Sequence, residues 1–326
     1  MPDRRFAPPL DGQTRLLAKV ARMYYEQGER QADIAEALHV SQAKVSRMLK
    51  RAEAAGIVRI TVTMPPGLHA EAEDALEKRF GLAEAVVVDV DADADDADIV
   101  AAVGAGAAAY LEASLSGSDR IGISSWSRTL RAMSERMRPL PARGAKEVVQ
   151  LLGGIGAADA QRHSHRLLAD LARSLGAEAV HVQAPGLLPD AALAESILAT
   201  DGMRDVVEHW RDLTMAVVGI GSIEPSDVLA DSGNAFTTDE RTPLLADGAV
   251  GDICHRIFRV DGSPVRGPLD DRVVAISEAD LRAIPRRVGV AGGRAKLGAI
   301  RGAIAGGWVN ALVTDTRTAA ALLAGA

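Results

Sequence analysis

From about residue 85 onward the chain alternates continuous apolar runs of four to six residues with helical stretches, and this restricts the fold more than any other feature. The runs lie at 85–90, 120–123, 148–152, 179–182, 215–220, 272–276, 288–291 and 309–314. A strand that is apolar along its whole length is covered on both faces, and helices between such strands supply the crossovers of a parallel sheet. The expected body is therefore a mainly parallel α/β domain. With 326 residues, 48% of them hydrophobic, the chain has material for that body and for a smaller domain besides.

The first 63 residues read differently. Positions 14–27 carry Leu16, Leu17, Val20 and Tyr24 at helical spacing, and Gly28 ends that helix. A short helix is expected over 31–38 and a tight connection at His39-Val40. Ser41 is then the N-cap of a third helix that runs to Ala55 and stops at Gly56. Ile34, Leu38, Val40, Val45, Met48 and Leu49 fall where they form a three-helix core, and the small Ala35 lets helix backbones approach. The other face of the third helix carries Gln42, Lys44, Arg47 and Arg51, with Lys50 beside them. Residues 57–63 alternate apolar and polar as a wing strand does, with Arg59 on it, and Pro65-Pro66-Gly67 marks a linker. A helix is expected over 68–80. The resulting domains are 1–63, a linker and helix at 64–84, and an α/β domain at 85–326.

The net charge of −7 hides a partition. Residues 1–60 hold 11 Lys and Arg against 7 Asp and Glu, a balance of +4, which leaves −11 for the remainder. A basic head on an acidic body fits a nucleic-acid partner for the head alone. Gln and Arg on an exposed helix read base edges in the major groove, and Lys neutralises phosphate. The expected contact set is Ser41, Gln42, Lys44, Val45, Ser46, Arg47, Lys50 and Arg51, with double-stranded operator DNA as the partner.

A second constellation begins at the run 120–123, which leads through Ser124-Ser125-Trp126-Ser127-Arg128-Thr129 into a helix. Hydroxyls, a cation and the free N–H groups of a helix N-terminus suit an anion.

These segments resemble the SorC-type, DeoR-like sugar-binding transcriptional regulators. The resemblance rests on QADIAEALHVSQAKVSRMLKRAEAAGIVRITV, with Ser41, Val45, Ser46, Arg47 and Leu49, and on the order of Ser124–Thr129, Val149–Gly154, Ala184-Pro185-Gly186, Val218–Ser222, Gly251-Asp252-Ile253 and Ala291-Gly292-Gly293 with Lys296. It covers about residues 14–324. It implies a winged helix-turn-helix joined to a sugar-phosphate-isomerase-like α/β domain, a small carbohydrate or sugar-phosphate effector held by the Ser124–Thr129 loop, and a homotetramer; paired recognition helices on two half-sites already call for a homodimer. The matched segments also place Gly122, Gln150, Gly153, Gly219, Gly221, Asp252 and Lys296 near strand ends, where ligands sit in open parallel sheets, with Asp252 and Gln150 suited to sugar hydroxyls and Lys296 to a phosphate. The sequence departs from the family at His39, where glycine is common, and at Ser125 and Ser127, which flank Trp126 where glycine is common.

Other signals carry less. A second function class, a sugar-phosphate isomerase or deaminase with a DNA-binding head, needs a general base; Asp252 is the candidate, without an evident partner acid. Gly104-x-Gly106 lies in an alanine-rich helix without the strand and turn of a dinucleotide site, so it is read as helix packing. His163 and His165 face apart, the Asp-rich stretch 89–98 reads as a helix N-terminus with favourable charge, and the single cysteine, Cys254, excludes a disulfide framework. No cofactor, metal or catalytic residue is implied. Without an apolar stretch of about 18 residues or a secretory N-terminus, the expected location is the cytoplasm.

Overall fold

The computed structural model describes residues 12–59 and 67–325. The arm at 1–10, residues 60–63 of the expected wing and Pro65-Pro66 lie outside them. The chain divides into two units, Met1–Pro65 and Pro66–Ala326.

In the first unit α1 spans Gly12–Tyr25, α2 spans Gln31–Ala37 and α3 spans Gln42–Ala54. Leu17, Val20, Ile34, Val45, Leu49 and Ala52 are buried together, with Leu38 and Val40 packed against them. The turn between α2 and α3 places His39 at φ 50°, the left-handed region that a histidine tolerates better than a β-branched residue. Ser41 Oγ then caps α3 by accepting the N–H of Lys44 at 3.3 Å. The wing strand is not found in its described part. Ile57, Val58 and Arg59 form no strand, because the N–H groups of Ile57 and Val58 turn back to the carbonyl of Ala52 and their side chains join the helical core.

In the second unit α4 spans Ala70–Phe80, α5 Asp96–Ser114, α6 Arg128–Arg136 and α7 Ala158–Leu175. Interleaved with the helices are, among the described residues, ten strands in chain order: β1 Glu84–Val88, β2 Arg120–Ile123, β3 Glu147–Gln150, β4 Glu178–Val180, β5 Met215–Gly219, β6 Gly221–Ser222, β7 Ala249–Ile253, β8 Arg256–Arg259, β9 Arg286–Val290 and β10 Ala311–Asp315. Seven of them form a wholly parallel sheet in the order β1-β10-β9-β5-β2-β3-β4. The remaining three, β6, β7 and β8, form a small antiparallel sheet that the apolar runs did not announce.

The chain goes from β2 outward through β3 to β4, then returns to the other side of β2 as β5. The carboxyl ends of β2 and β5 therefore flank a topological switch point, where open α/β sheets leave a crevice. The helix α4 is no free connector. Its Glu73 and Glu77 accept the N–H groups of Val87 and Ala85, both at 2.9 Å, and so cover the outer edge of β1.

One expected strand is corrected. Residues 272–276 continue from a 3-10 turn at Asp270–Arg272 and join no named strand: Val273 and Ala275 make isolated antiparallel bridges with Leu187 and Leu152, and backbone hydrogen bonds tie the run to 151–153 and 186–188. The run is apolar because it is buried over the ends of the sheet, which periodicity alone does not distinguish from a buried strand. Gly104 and Gly106 lie in α5, where a Cβ would fall 2.7 Å from Ala132 of α6 and 2.3 Å from Val88 of β1. They are helix-packing glycines.

Candidate functional site

A cleft of about 620 Å³ opens where β2, β5, β9 and β10 end. Ser124 follows β2, and its Oγ accepts the N–H of Gly219 at the end of β5, 3.1 Å away, joining the two strand ends across the switch point. Trp126, Ser127, Arg128 and Thr129 continue the wall into α6, with Ser127 Oγ capping that helix by accepting the N–H of Leu130 at 3.3 Å. The β9 end contributes Gly292 to Lys296, and the β10 end contributes Arg317, whose guanidinium holds the carbonyl of Ala94 at 2.7 Å. Four cations, Arg128, Arg294, Lys296 and Arg317, and four carboxylates, Asp96, Glu224, Asp227 and Asp252, line this space beside apolar Ile99, Val103, Ile220 and Leu229. A few charged groups on a mainly apolar wall are the usual make-up of a small-molecule site.

Lys296 reaches across to β5, its Nζ donating to the carbonyl of Ile220 at 2.8 Å. Burial pulls its pKa below the ordinary lysine value, while the Asp252 carboxylate opposes that shift and Arg128 adds to it. Asp252 sits on β7 opposite Gly221, so close that a Cβ at 221 would lie 2.0 Å from Asp252 Oδ1. Glycine at 221 is what lets that carboxylate stand against the cleft.

The carboxylate also braces an unusual turn. Cys254 and His255 close the β7–β8 hairpin with φ of 52° and 60°, the left-handed pair that such turns normally fill with Asn-Gly. Asp252 Oδ2 accepts the His255 N–H at 3.0 Å, and the imidazole packs on Phe236 at 5.0 Å between ring centres. Both turn residues are buried at the cleft wall, and His255 Nε2 has no hydrogen-bond partner among the described residues. Burial pushes the Cys254 thiol well up, away from thiolate chemistry.

Burial also holds His255 below the ordinary imidazole pKa, and burial together with His165 does the same to His181. The unfolded chain then takes up these protons first, so stability is full above about pH 6.5 and falls as the pH drops below it. Thermal unfolding is expected to shift down between pH 7 and pH 5. His255→Asn, which tolerates the left-handed turn, should shrink that shift; an unchanged profile would remove His255 from the cause.

The sequence-predicted effector set divides in two. Ser124, Trp126, Ser127, Arg128, Thr129, Gly219, Gly221, Asp252 and Lys296 converge on the cleft. Gly122, Ser125, Gln150 and Gly153 do not line it, and their place on the wall is corrected. Gln150 is buried behind the loop, with Nε2 donating to Ser125 Oγ at 2.7 Å and Ser164 Oγ at 3.0 Å and Oε1 accepting from Val182 N at 2.9 Å. With both ends of its amide used, Gln150 is a strut. Ser125 Oγ donates to the Leu152 carbonyl at 3.0 Å, and Gly122 packs under Leu151 and Leu213. Sequence reasoning missed Asp96, Glu224, Asp227, Arg294 and Arg317. Gly293 beside Arg294 was the available signal.

On α3, Ser41, Gln42, Lys44, Arg47, Lys50 and Arg51 are exposed, and Ser46 is half-buried. Val45 is corrected: at 0% exposure it belongs to the helical core and presents no side chain outward. No group of three or more His, Cys, Asp or Glu among the described residues is placed to hold a metal ion. Among the same residues no helix is long and apolar enough to cross a membrane.

A family model described as "Putative sugar-binding domain" matches residues 65–324. The sorbitol operon regulator of Klebsiella pneumoniae is 32% identical over 95% of this chain and 98% of its own length. The deoxyribonucleoside regulator of Bacillus subtilis is 30% identical, covering 94% of this chain and 97% of its own. The crystal structure of the full-length Klebsiella regulator superposes with a TM-score of 0.71 at 31% identity over 95% of this chain and 99% of that one. The sugar-binding domain of the regulator DeoR from Pseudomonas syringae pv. tomato gives 0.61 at 39% identity over 78% of this chain and 99% of that one. The chain belongs to the SorC-type family of sugar-binding transcriptional regulators.

Proposed function

We propose that the chain controls a carbohydrate or polyol pathway by binding operator DNA through a helix-turn-helix head, α1 to α3, and that a phosphorylated sugar or polyol bound in the cleft modulates this binding. The observation that carries the effector class is the meeting of Arg128, Lys296 and the α6 N-terminus at a topological switch point, an arrangement that favours a phosphate group. Asp252 opposite them suits sugar hydroxyls. The names of the sorbitol operon regulator and the deoxyribonucleoside regulator point to small polyhydroxylated molecules in the same way.

The exposed Gln42, Lys44, Arg47, Lys50 and Arg51 on one helix supply base-reading and phosphate-binding groups for the head. Two heads on two half-sites require at least a homodimer, and a homotetramer doubles that arrangement. The effector then acts by favouring one arrangement of the oligomer over another. On this reading the protein is cytoplasmic, and it binds its effector without turning it over. Cys254 is no thiolate, and Asp252 is engaged by the His255 N–H.

A thermal-shift panel of ribose-5-phosphate, fructose-6-phosphate and glucosamine-6-phosphate with their parent sugars tests this. At least one phosphate is expected to raise the unfolding temperature, by the amount set by its concentration over its dissociation constant. Its parent sugar should raise it less, and Arg128→Gln should remove most of the response. Shifts of equal size for sugars and phosphates would overturn the phosphate assignment, and turnover of any of the three would overturn the binding-only reading.

A further inference from the structure

Asp96 is the first residue of α5, and the cap of that helix does not depend on it. Asp95 accepts the N–H of Asp98, and Asp98 returns the bond to the N–H of Asp95, closing a capping box without Asp96. The Asp96 side chain turns instead toward the start of α6, where it pairs with the guanidinium of Arg128, the first residue of that helix, and both residues line the cleft. Its Oδ1 stands 3.6 Å from where a Cβ at Gly293 would be, so it overhangs the loop that follows β9. It is also within electrostatic reach of Lys296. One carboxylate from α5 thus sits among cationic groups supplied by two other elements, at the N-terminus of α6, where the cleft is best suited to an anion.

We propose that Asp96 is an internal stand-in for the ligand's phosphate and sets which ligands enter. This deepens the effector reading above and rests on it. A neutral sugar carries nothing that competes with a carboxylate for Arg128, so the pair stays closed against it. A phosphate monoester carries a charge approaching −2 at neutral pH and three acceptor oxygens. It outcompetes a single carboxylate for the same guanidinium while keeping Lys296 and the helix N-terminus as further partners. The displaced pair is a weak one to lose, because the Asp96 side chain is 65% exposed and Arg128 33% exposed. The selection therefore acts on charge, and its cost to a true ligand is small. The ligand class it admits is a dianionic phosphate ester of a small polyhydroxylated molecule.

The probe is inorganic phosphate, titrated calorimetrically into the full chain at low ionic strength, where a charge contact is least screened. Asp96→Asn keeps the shape and the capping box and removes the competing charge; it is expected to bind phosphate about fivefold more tightly than the parent. Asp96→Ser is the second variant should the amide fail to fold, with the same expected direction. Arg128→Gln should bind at least tenfold more weakly than the parent. Equal affinities of parent and both Asp96 variants, with binding still lost in Arg128→Gln, would overturn the role of Asp96 and leave the phosphate reading standing. No phosphate binding by any of the proteins would overturn that reading and this proposal with it.

Discussion

Replacing Gly153 by alanine is expected to lower the unfolding temperature of the α/β unit by roughly 6–12 °C, a loss of about 3 kcal/mol. A Cβ at this position would lie 2.3 Å from the carbonyl carbon of Pro185 and 2.4 Å from the nitrogen of Gly186. These are backbone atoms, so no side chain can swing aside to relieve the overlap. Gly153 is also fixed from both sides, its N–H donating to Val274 at 2.9 Å and its carbonyl accepting Trp126 Nε1 at 3.1 Å. Any shift of the strand end must therefore move Trp126, which lines the cleft. Gly202→Ala is the control, since nothing lies within 4 Å of its Cβ, and it should be neutral or slightly stabilising. Circular dichroism melts of the two variants decide the matter. A Gly153→Ala protein that melts within a degree of the parent would show that the Pro185–Gly186 segment relaxes freely.

The same position shows how far the sequence could be read. Gly153 stands out at a strand end, and strand ends in parallel sheets are where ligands gather, so Gly153 and Gln150 are natural site candidates. The structure gives that pattern a different cause. Chain segments cross the ends of the sheet at close range, and glycine and a fully bonded amide are what such a crossing needs. The apolar runs located the seven parallel strands because continuous hydrophobicity is a local property. The β6-β7-β8 sheet was not legible for the opposite reason: its hairpin turns through Cys254-His255, which gives none of the Asn-Gly signal of a two-residue turn.

The cleft divides along the same line. Ser124 to Thr129 and Lys296 belong to local strand–loop–helix patterns and could be named from them. Asp96 is adjacent to a helix start and reads correctly as dipole-favoured charge, yet its partner Arg128 is 32 residues away in sequence. Arg317 is further still from the loop it ties down, bonding to Ala94. Tertiary pairings of this kind leave no periodic trace. Val45 shows the converse. It sits inside a segment whose neighbours face outward, and helical spacing with Leu49 and Ala52 turns it into the core.

Arg47→Ala is expected to weaken specific operator binding about 100-fold while leaving the thermal response to sugar phosphates unchanged. Arg47 is exposed on α3, between Lys44 three residues before it and Arg51 four residues after it, so all three share one stripe. An arginine that reads a base contributes about 1–3 kcal/mol, and a symmetric complex loses that contact at both half-sites. Lys44→Ala should behave differently if Lys44 touches phosphate: affinity falls evenly across sequences, and the slope against salt concentration drops by about one for each head. Val45→Ala separates fold from contact, because it opens a hole in the helical core and should destabilise the head without altering the salt slope. Operator fragments selected from genomic DNA by the parent protein provide the substrate, and fluorescence anisotropy over a salt series provides the readout. The acidic remainder of the chain, at −11, repels the DNA backbone, so little non-specific attraction is available to mask the loss. If Arg47→Ala retains the parent's affinity and salt slope, α3 is not the helix that meets the groove.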